Sequence, residues 1–128
     1  LRAAFTETET MFSFEKLEVW NKAIDFADLV YAITRSFPGE ERFGLTNQMR
    51  RAAVSVASNI AEGSSRSSKS DFARFIEIAT GSVFEVVTQA LISKRQKLLS
   101  TSDYQQLYTA AAEQSRMLSG LRKALLPE

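Results

Sequence analysis

The chain predicts an all-α protein, an up-down-up-down antiparallel four-helix bundle, on three observations. Apolar residues recur at three- and four-residue steps through four long segments, the spacing that gathers side chains on one face of a helix. The segments are joined by short stretches carrying proline, glycine or serines at capping positions. No stretch alternates at the two-residue period of a strand, and no hairpin signal competes. At 128 residues the chain makes one domain, long enough to bury about two thirds of the surface its unfolded form exposes.

Residues 1–13 show no clear period and are assigned to an N-terminal tail, with 14–128 as the bundle domain. Met11 directly precedes the first organised segment and is the expected start, residues 1–10 being an upstream extension. The first helix is expected from Glu15 to Ser36. Leu17, Trp20, Ile24, Ala27 and Tyr31 fall on one line, and Val19, Ala23, Phe26, Val30, Ile33 and Phe37 on the next, so two adjacent lines make a wide apolar face. Glu15 with Glu18, and Asp25 with Asp28, are carboxylate pairs of the kind a hard cation wants. An interspersed Lys22, and the lack of an acidic pair on a second helix, favour a solvated face instead. Pro38 and Gly39 end the helix.

The second helix, about Asn47 to Glu62, is the most organised stretch of the chain. Thr46 is expected to cap its start, and Gly63 to end it in the left-handed conformation. One stripe is small and apolar: Met49, Ala53, Val56 and Ile60, with Ala52 and Ala57 beside it. A second, Arg51, Ser55, Ser58, Asn59 and Glu62, is polar and is expected to form a hydrogen-bonded seam between helices or subunits. Glu62 sits in the last turn, where the helix dipole disfavours an anion; Arg50 or Arg51 of another chain, or Arg66, is its expected partner.

Ser68 and Asp71 stand at capping-box spacing and open a third helix, about Lys69 to Lys97. Phe72, Ile76, Ala79, Val83, Val86 and Ala90 fall within about 40° of one line at 100° per residue. Phe84, Val87, Leu91 and Leu98 form a second apolar stripe, more than one core requires, so Phe84, Val87 and Leu91 are the candidate oligomer interface. Gly81, costly inside a helix, is expected to permit a close approach of the second helix. Ser100 and Asp103 open a fourth helix, about Ser102 to Leu126, whose buried side is Tyr104, Leu107, Tyr108, Ala111, Leu118, Leu121 and Leu125. Pro127 stops it.

Composition narrows the chemistry. There is no cysteine and no histidine, which removes thiol catalysis, disulfides, the usual general base and the usual metal ligands together. No P-loop, dinucleotide fingerprint or nucleophile elbow occurs, and the diiron pattern of other bundles needs histidine. The expectation is a non-enzymatic protein without cofactor, metal or small-molecule substrate. The enzymatic alternative is a magnesium-dependent all-α nucleotide pyrophosphohydrolase working through carboxylates. No uninterrupted apolar run reaches about 18 residues, so the protein is expected to be cytoplasmic, with no membrane partner.

Net charge is +1 but unevenly spread: residues 1–41 carry four basic and eight acidic side chains, 42–74 six and two, and 75–128 six and five. Arg42, Arg50, Arg66, Lys69 and Arg74, with Arg51, come from the basic middle. They are candidate nucleic-acid contacts, against the alternative that they meet acidic helices or subunits. Few aromatic residues accompany them in sequence, so any such binding is expected to be driven by the phosphate backbone and weakened by salt.

Three stretches, FEKLEVWNKAIDFADLVY, FPGEERFGLTNQMRRAAVSVASNIAEG and DFARFIEIATGSVFEVVTQ, resemble the bacterial 23S rRNA intervening-sequence proteins, also called the four helix bundle protein family. Glu40 and Glu41, the run Leu45 to Gly63, and Gly81, Ser82 and Glu85 stand where that family's pattern puts them, over about Phe14 to Leu125. The resemblance implies a four-helix bundle assembling as a ring-like homopentamer, without an established biochemical activity. The family's name refers to genes carried inside rRNA intervening sequences and does not itself denote rRNA binding. A similar pentameric barrel is the accessory protein of diversity-generating retroelements, which engages reverse transcriptase and nucleic acid through a basic surface. By that analogy RNA is the candidate partner, the alternative being a purely structural interaction module.

Overall fold

The structure, a computed structural model, describes residues 11–127. Four α-helices account for most of them: α1 (Glu18–Thr34), α2 (Leu45–Ser64), α3 (Lys69–Arg95) and α4 (Thr101–Leu125). No strand occurs among the described residues, and the fold is all-α with four helices. α2 packs on α1 and α3, and α4 also packs on both α1 and α3, so each helix has two neighbours around a shared core.

Before α1, a 3-10 turn (Ser13–Lys16) is closed by the Glu15 carboxylate accepting from the Phe12 N–H at 3.0 Å. Leu17 is extended and interrupts the expected continuous helix, so α1 begins three residues late. Of the two apolar lines on α1, the one through Val19, Ala23, Phe26, Val30 and Ile33 is buried, and Phe37 is buried beyond the helix end. The other lies at the core's edge: Leu17, Trp20 and Ala27 are half-buried against it, and Ile24 and Tyr31 are exposed. Gln114, fully buried on α4, donates from Nε2 to the Val19 carbonyl at 3.2 Å and ties α4 to α1.

Two expectations about α2 are corrected. Thr46 does not cap the helix; Gly44 is the N-cap residue and contributes no side chain. A 3-10 turn at Gly39–Glu41 instead returns the Glu41 carboxylate to the helix start, where Oε1 accepts from the Leu45 N–H at 3.3 Å. An anion at that end also suits the helix dipole. Gly63 does not terminate the helix: it lies inside it, and no glycine among the described residues has positive φ. Its purpose is proximity. A β-carbon on Gly63 would stand 2.7 Å from Phe75 Cβ and 2.9 Å from Phe72 Cδ1, both on α3. The role expected of Gly81 therefore belongs to Gly63, since a β-carbon at Gly81 would meet nothing within 4 Å.

The small side chains of α2 extend this contact. Ala52, Ala53 and Ala57 are buried with Met49, Val56 and Ile60, facing Ile76, Ala79, Val83, Val86 and Ala90 of α3 in one core. α3 is capped as expected, Ser68 Oγ accepting from the Asp71 N–H at 3.0 Å. It ends earlier than expected because Lys97 takes φ 64°, with Leu98 N–H donating to Ser93 O and Lys97 N–H to Lys94 O. This is the paired closure of a Schellman motif, here built on lysine where glycine is favoured. By length and composition α3 is also the one helix among the described residues fit to cross a membrane, which a search for uninterrupted apolar runs does not pick out. One face of it, Ile76, Ala79, Val83, Val86 and Ala90, lines the shared core, while Ile78, Phe84, Leu91 and Ile92 are exposed.

The Ser100 cap on α4 is formed as expected, by Oγ accepting from the Asp103 N–H at 3.0 Å. Leu107, Ala111 and Leu118 are buried, whereas Tyr108, expected on the buried side, is 50% exposed. Salt bridges Arg122–Glu77 (2.6 Å) and Lys22–Glu113 (3.8 Å) join α4 to α3 and α1 at the surface, where such pairs contribute at most about 1 kcal/mol.

The two glycines give opposite expectations. Gly63→Ala overpacks the α2–α3 contact and should lose about 1–3 kcal/mol. Gly81→Ala meets open space and should gain about 1 kcal/mol from helix propensity. Urea unfolding midpoints check both, and a Gly63→Ala protein as stable as the parent would contradict the close-approach account.

Candidate functional site: a basic groove beside α2

The basic residues of the middle segment do not form one surface. Arg50 and Arg66 are sixteen residues apart, roughly 24 Å at the helical rise, and the set divides between the two ends of α2.

At the α2–α3 turn the charges are locally balanced. Arg66 Nη2 lies 2.9 Å from Glu62 Oε2, and its Nε is 3.9 Å from Asp71. Arg66 is thus the partner that Glu62 requires. Arg74 pairs with Asp71 at 3.1 Å. Both guanidinium groups also lie 4.6 Å from the centre of the Phe75 ring and shield that buried side chain. Lys69, at the first position of α3, is exposed and makes no ion pair among the described residues.

At the other end, Arg42, Arg50 and Arg51 line a groove of about 850 Å³ between Tyr31 of α1, the loop residues Arg42 and Phe43, and α2 from Thr46 to Ser58. Tyr31, Phe43, Asn47, Ser55 and Ser58 also line it, and no carboxylate does. Glu41, on the turn just before Arg42, is committed to the start of α2. Arg50 is fastened in place: Nε donates to Thr34 Oγ1 at 2.9 Å, Nη2 donates to the Tyr31 carbonyl at 3.4 Å, and the guanidinium sits 4.5 Å from the Tyr31 ring centre. Thr34 in turn donates to the Val30 carbonyl at 2.7 Å. The Arg42 guanidinium lies 5.7 Å from the centre of the Phe43 ring. Arg51 is exposed, with no ion pair among the described residues.

The sequence reading missed Tyr31 and Phe43 as companions of these arginines. Tyr31 is nineteen residues before Arg50 and meets it only because α1 packs on α2. Phe43 adjoins Arg42, and its 85% exposure, the highest among the exposed large apolar side chains of the described residues, was the feature invisible in sequence.

The polar stripe of α2 divides likewise. Asn59 Nδ2 donates to the Ser55 carbonyl at 2.8 Å and to Ser55 Oγ at 2.9 Å, and Ser82 Oγ of α3 donates to Ser55 Oγ at 2.9 Å. Ser55, Asn59 and Ser82 thus form a hydrogen-bonded seam between α2 and α3. Arg51 and Ser58 stand outside it in the groove, and Glu62 is occupied by Arg66. A second, smaller hollow between α2 and α3 shares Phe43, Asn47, Arg51 and Ser55 and adds Glu85 and Gln89, whose Oε1 is buried without a partner.

The apolar stripe of α3 faces the other way. Phe84 is 58% exposed and Leu91 is exposed, while Val87 is half-buried against the core. Phe84 and Val87 line a groove of about 400 Å³ with Tyr108 and Ala112 of α4. Among the described residues no three carboxylates gather as a metal site would need; Glu15 holds its turn, and Asp25 and Asp28 face solvent.

Arg50→Ala is expected to lower stability by about 1–2 kcal/mol, because it strips two hydrogen bonds and a cation–π contact from the α1–α2 junction. Arg42→Ala and Arg51→Ala should change it by less than about 0.5 kcal/mol. Equilibrium denaturation separates the anchored arginine from its two neighbours.

Comparison with known proteins agrees with this architecture. A crystal structure of a protein of unknown function from the S23 ribosomal protein family of Bacteroides thetaiotaomicron VPI-5482 superposes with a TM-score of 0.76 at 22% identity, covering 82% of this chain and 95% of that one. At that identity the likeness speaks to the fold. No curated protein matches. A family model described as 23S rRNA-intervening sequence protein matches residues 15–120, most of the four-helix domain, and the chain belongs to that family.

Proposed function

We propose that this protein is a non-enzymatic, homo-oligomeric adaptor that binds RNA through the groove formed by Arg42, Arg50 and Arg51. One observation carries the reading: three guanidinium groups border a single groove that no carboxylate lines. Such a site favours polyanions, and arginine offers phosphate a planar fork of donors. The turn between α2 and α3 is the weaker candidate, because Glu62 and Asp71 already occupy Arg66 and Arg74. We place the protein in the cytoplasm.

The oligomer belongs to the same proposal. The connections between α2 and α3 and between α3 and α4 are four and five residues long, which favours alternating helix directions and an up-down-up-down bundle. Phe84, Val87, Leu91 and Tyr108 give one flank of that bundle an apolar surface suited to a neighbouring copy, and closure of repeated heterologous contacts yields a ring. A ring of five, the number suggested by family resemblance, would repeat the basic groove five times and convert weak phosphate contacts into avidity. Multi-angle light scattering is expected to give a mass near five chains at micromolar concentration, and Phe84→Glu to lower it; a monomeric parent protein would exclude the ring.

RNA binding is tested by titrating a structured RNA at about 50 and about 200 mM salt, over which a protein making several phosphate contacts loses orders of magnitude in affinity. The double variant Arg42→Glu/Arg51→Glu should weaken binding at least about tenfold at the lower salt, and Arg66→Glu/Lys69→Glu by less than about threefold. No association by the parent protein at low salt would end the RNA reading. The reverse ranking of the two variants would move the site to the α2–α3 turn.

A further inference from the structure

The basic groove has a feature that phosphate binding does not use. Phe43, on the loop leading into α2, leaves 85% of its surface in water at the groove's edge, between Arg42 and the start of the helix. It is absent from the apolar side chains that pack the core, so its ring contributes little to the fold. A second aromatic, Tyr31, also lines the groove, its ring centre 4.5 Å from the Arg50 guanidinium. Two arginine–aromatic pairs therefore line the groove: Arg42 with Phe43, and Arg50 with Tyr31.

Resting on the reading of this groove as an RNA site, we propose that the RNA it holds is unpaired, with a base stacked on Phe43 while Arg42 and Arg51 contact the flanking phosphates. The chemistry separates this from duplex binding. In a duplex the base faces are covered by their neighbours, and only phosphates, sugars and groove edges are offered to a protein. An exposed phenyl ring then gains nothing. An unpaired nucleotide offers a bare face, and base–aromatic stacking contributes enough to set the preferred form of the ligand. The same ring needs no particular base, so the site distinguishes single strand from duplex rather than one sequence from another. Arg50, held by Thr34 and the Tyr31 carbonyl, is a fixed positive charge in the same groove.

The experiment compares an unstructured labelled RNA of about twelve nucleotides, within the span such sites cover, with the same strand annealed to its complement. Both are titrated by fluorescence anisotropy at one low salt concentration. The parent protein is expected to bind the single strand more tightly. Phe43→Ala and Phe43→Leu should each weaken that binding by about 5- to 100-fold and alter duplex binding by less than about twofold. Phe43→Trp should retain affinity and show emission quenched by the single strand beyond the parent's own change. The exposure of Phe43 means that circular dichroism and oligomeric mass should be unchanged in all three variants. Equal weakening toward both RNA forms, or no weakening toward either, overturns the stacking assignment and leaves the groove reading intact. A changed oligomeric mass in Phe43→Ala overturns it in favour of a second copy covering the ring. Failure of the parent to bind either form removes the groove reading and this inference together.

Discussion

At Gly63 the backbone of α2 comes so close to α3 that a single added carbon would collide with Phe75 and Phe72. The rest of the molecule is arranged around this approach. With Ala52, Ala53 and Ala57 supplying the remaining small surface, α2 lies against the Ile76–Ala90 face of α3 without large side chains holding the axes apart. Close packing of this kind gains dispersion contacts along the length of both helices, at the cost of tolerating almost no change in volume. It also draws Ser82 to Ser55 and Ser93 to Met49, so the polar groups at the contact find partners inside it.

A helix used so fully on one side has its opposite flank free for chemistry. The groove beside α1 is lined by Arg50, Arg51 and Asn47, and only Arg50 is consumed by structure, through Thr34 and the carbonyl of Tyr31. The anchoring has two effects: it satisfies donors that would otherwise compete for water, and it fixes one positive charge at the wall of a groove whose other arginines stay solvated. The helix start, often an anion site in its own right, is closed to outside ligands by Glu41. Positive potential in the groove therefore comes from side chains rather than from the backbone.

Two surfaces of different character result. One, between α3 and α4, is apolar and centred on Phe84 and Tyr108; the other, between α1 and α2, is basic and edged by Phe43. Their placement on different flanks means that association through the first need not cover the second. The α2–α3 turn, despite three cationic residues nearby in sequence, is nearly self-neutralised, because Glu62 and Asp71 come within 4 Å of arginine there.

The helices and much of the core could be read from the sequence, because apolar periodicity and serine caps are local signals: Ser68 and Ser100 act where spacing places them, and the buried faces of α2 and α3 are those the pattern marks. Family membership could be read too, since it rests on the order of residues alone. Local signals failed where a nonlocal partner decided. Glu41 displaced Thr46 at the start of α2 once a 3-10 turn brought it back, and Gly63 rather than Gly81 met a neighbouring helix because the crossing point depends on how two helices lie together. Tyr108 belonged to the apolar period of α4 yet fell at the edge of the core. The candidate site was only half legible. Its arginines stood in one stretch, but which were neutralised, and that Tyr31 and Phe43 would join Arg42, Arg50 and Arg51, depended on distances across the bundle. Sequence sets the charge and period of each helix; the packing of one helix on another sets which charges face each other and which face water.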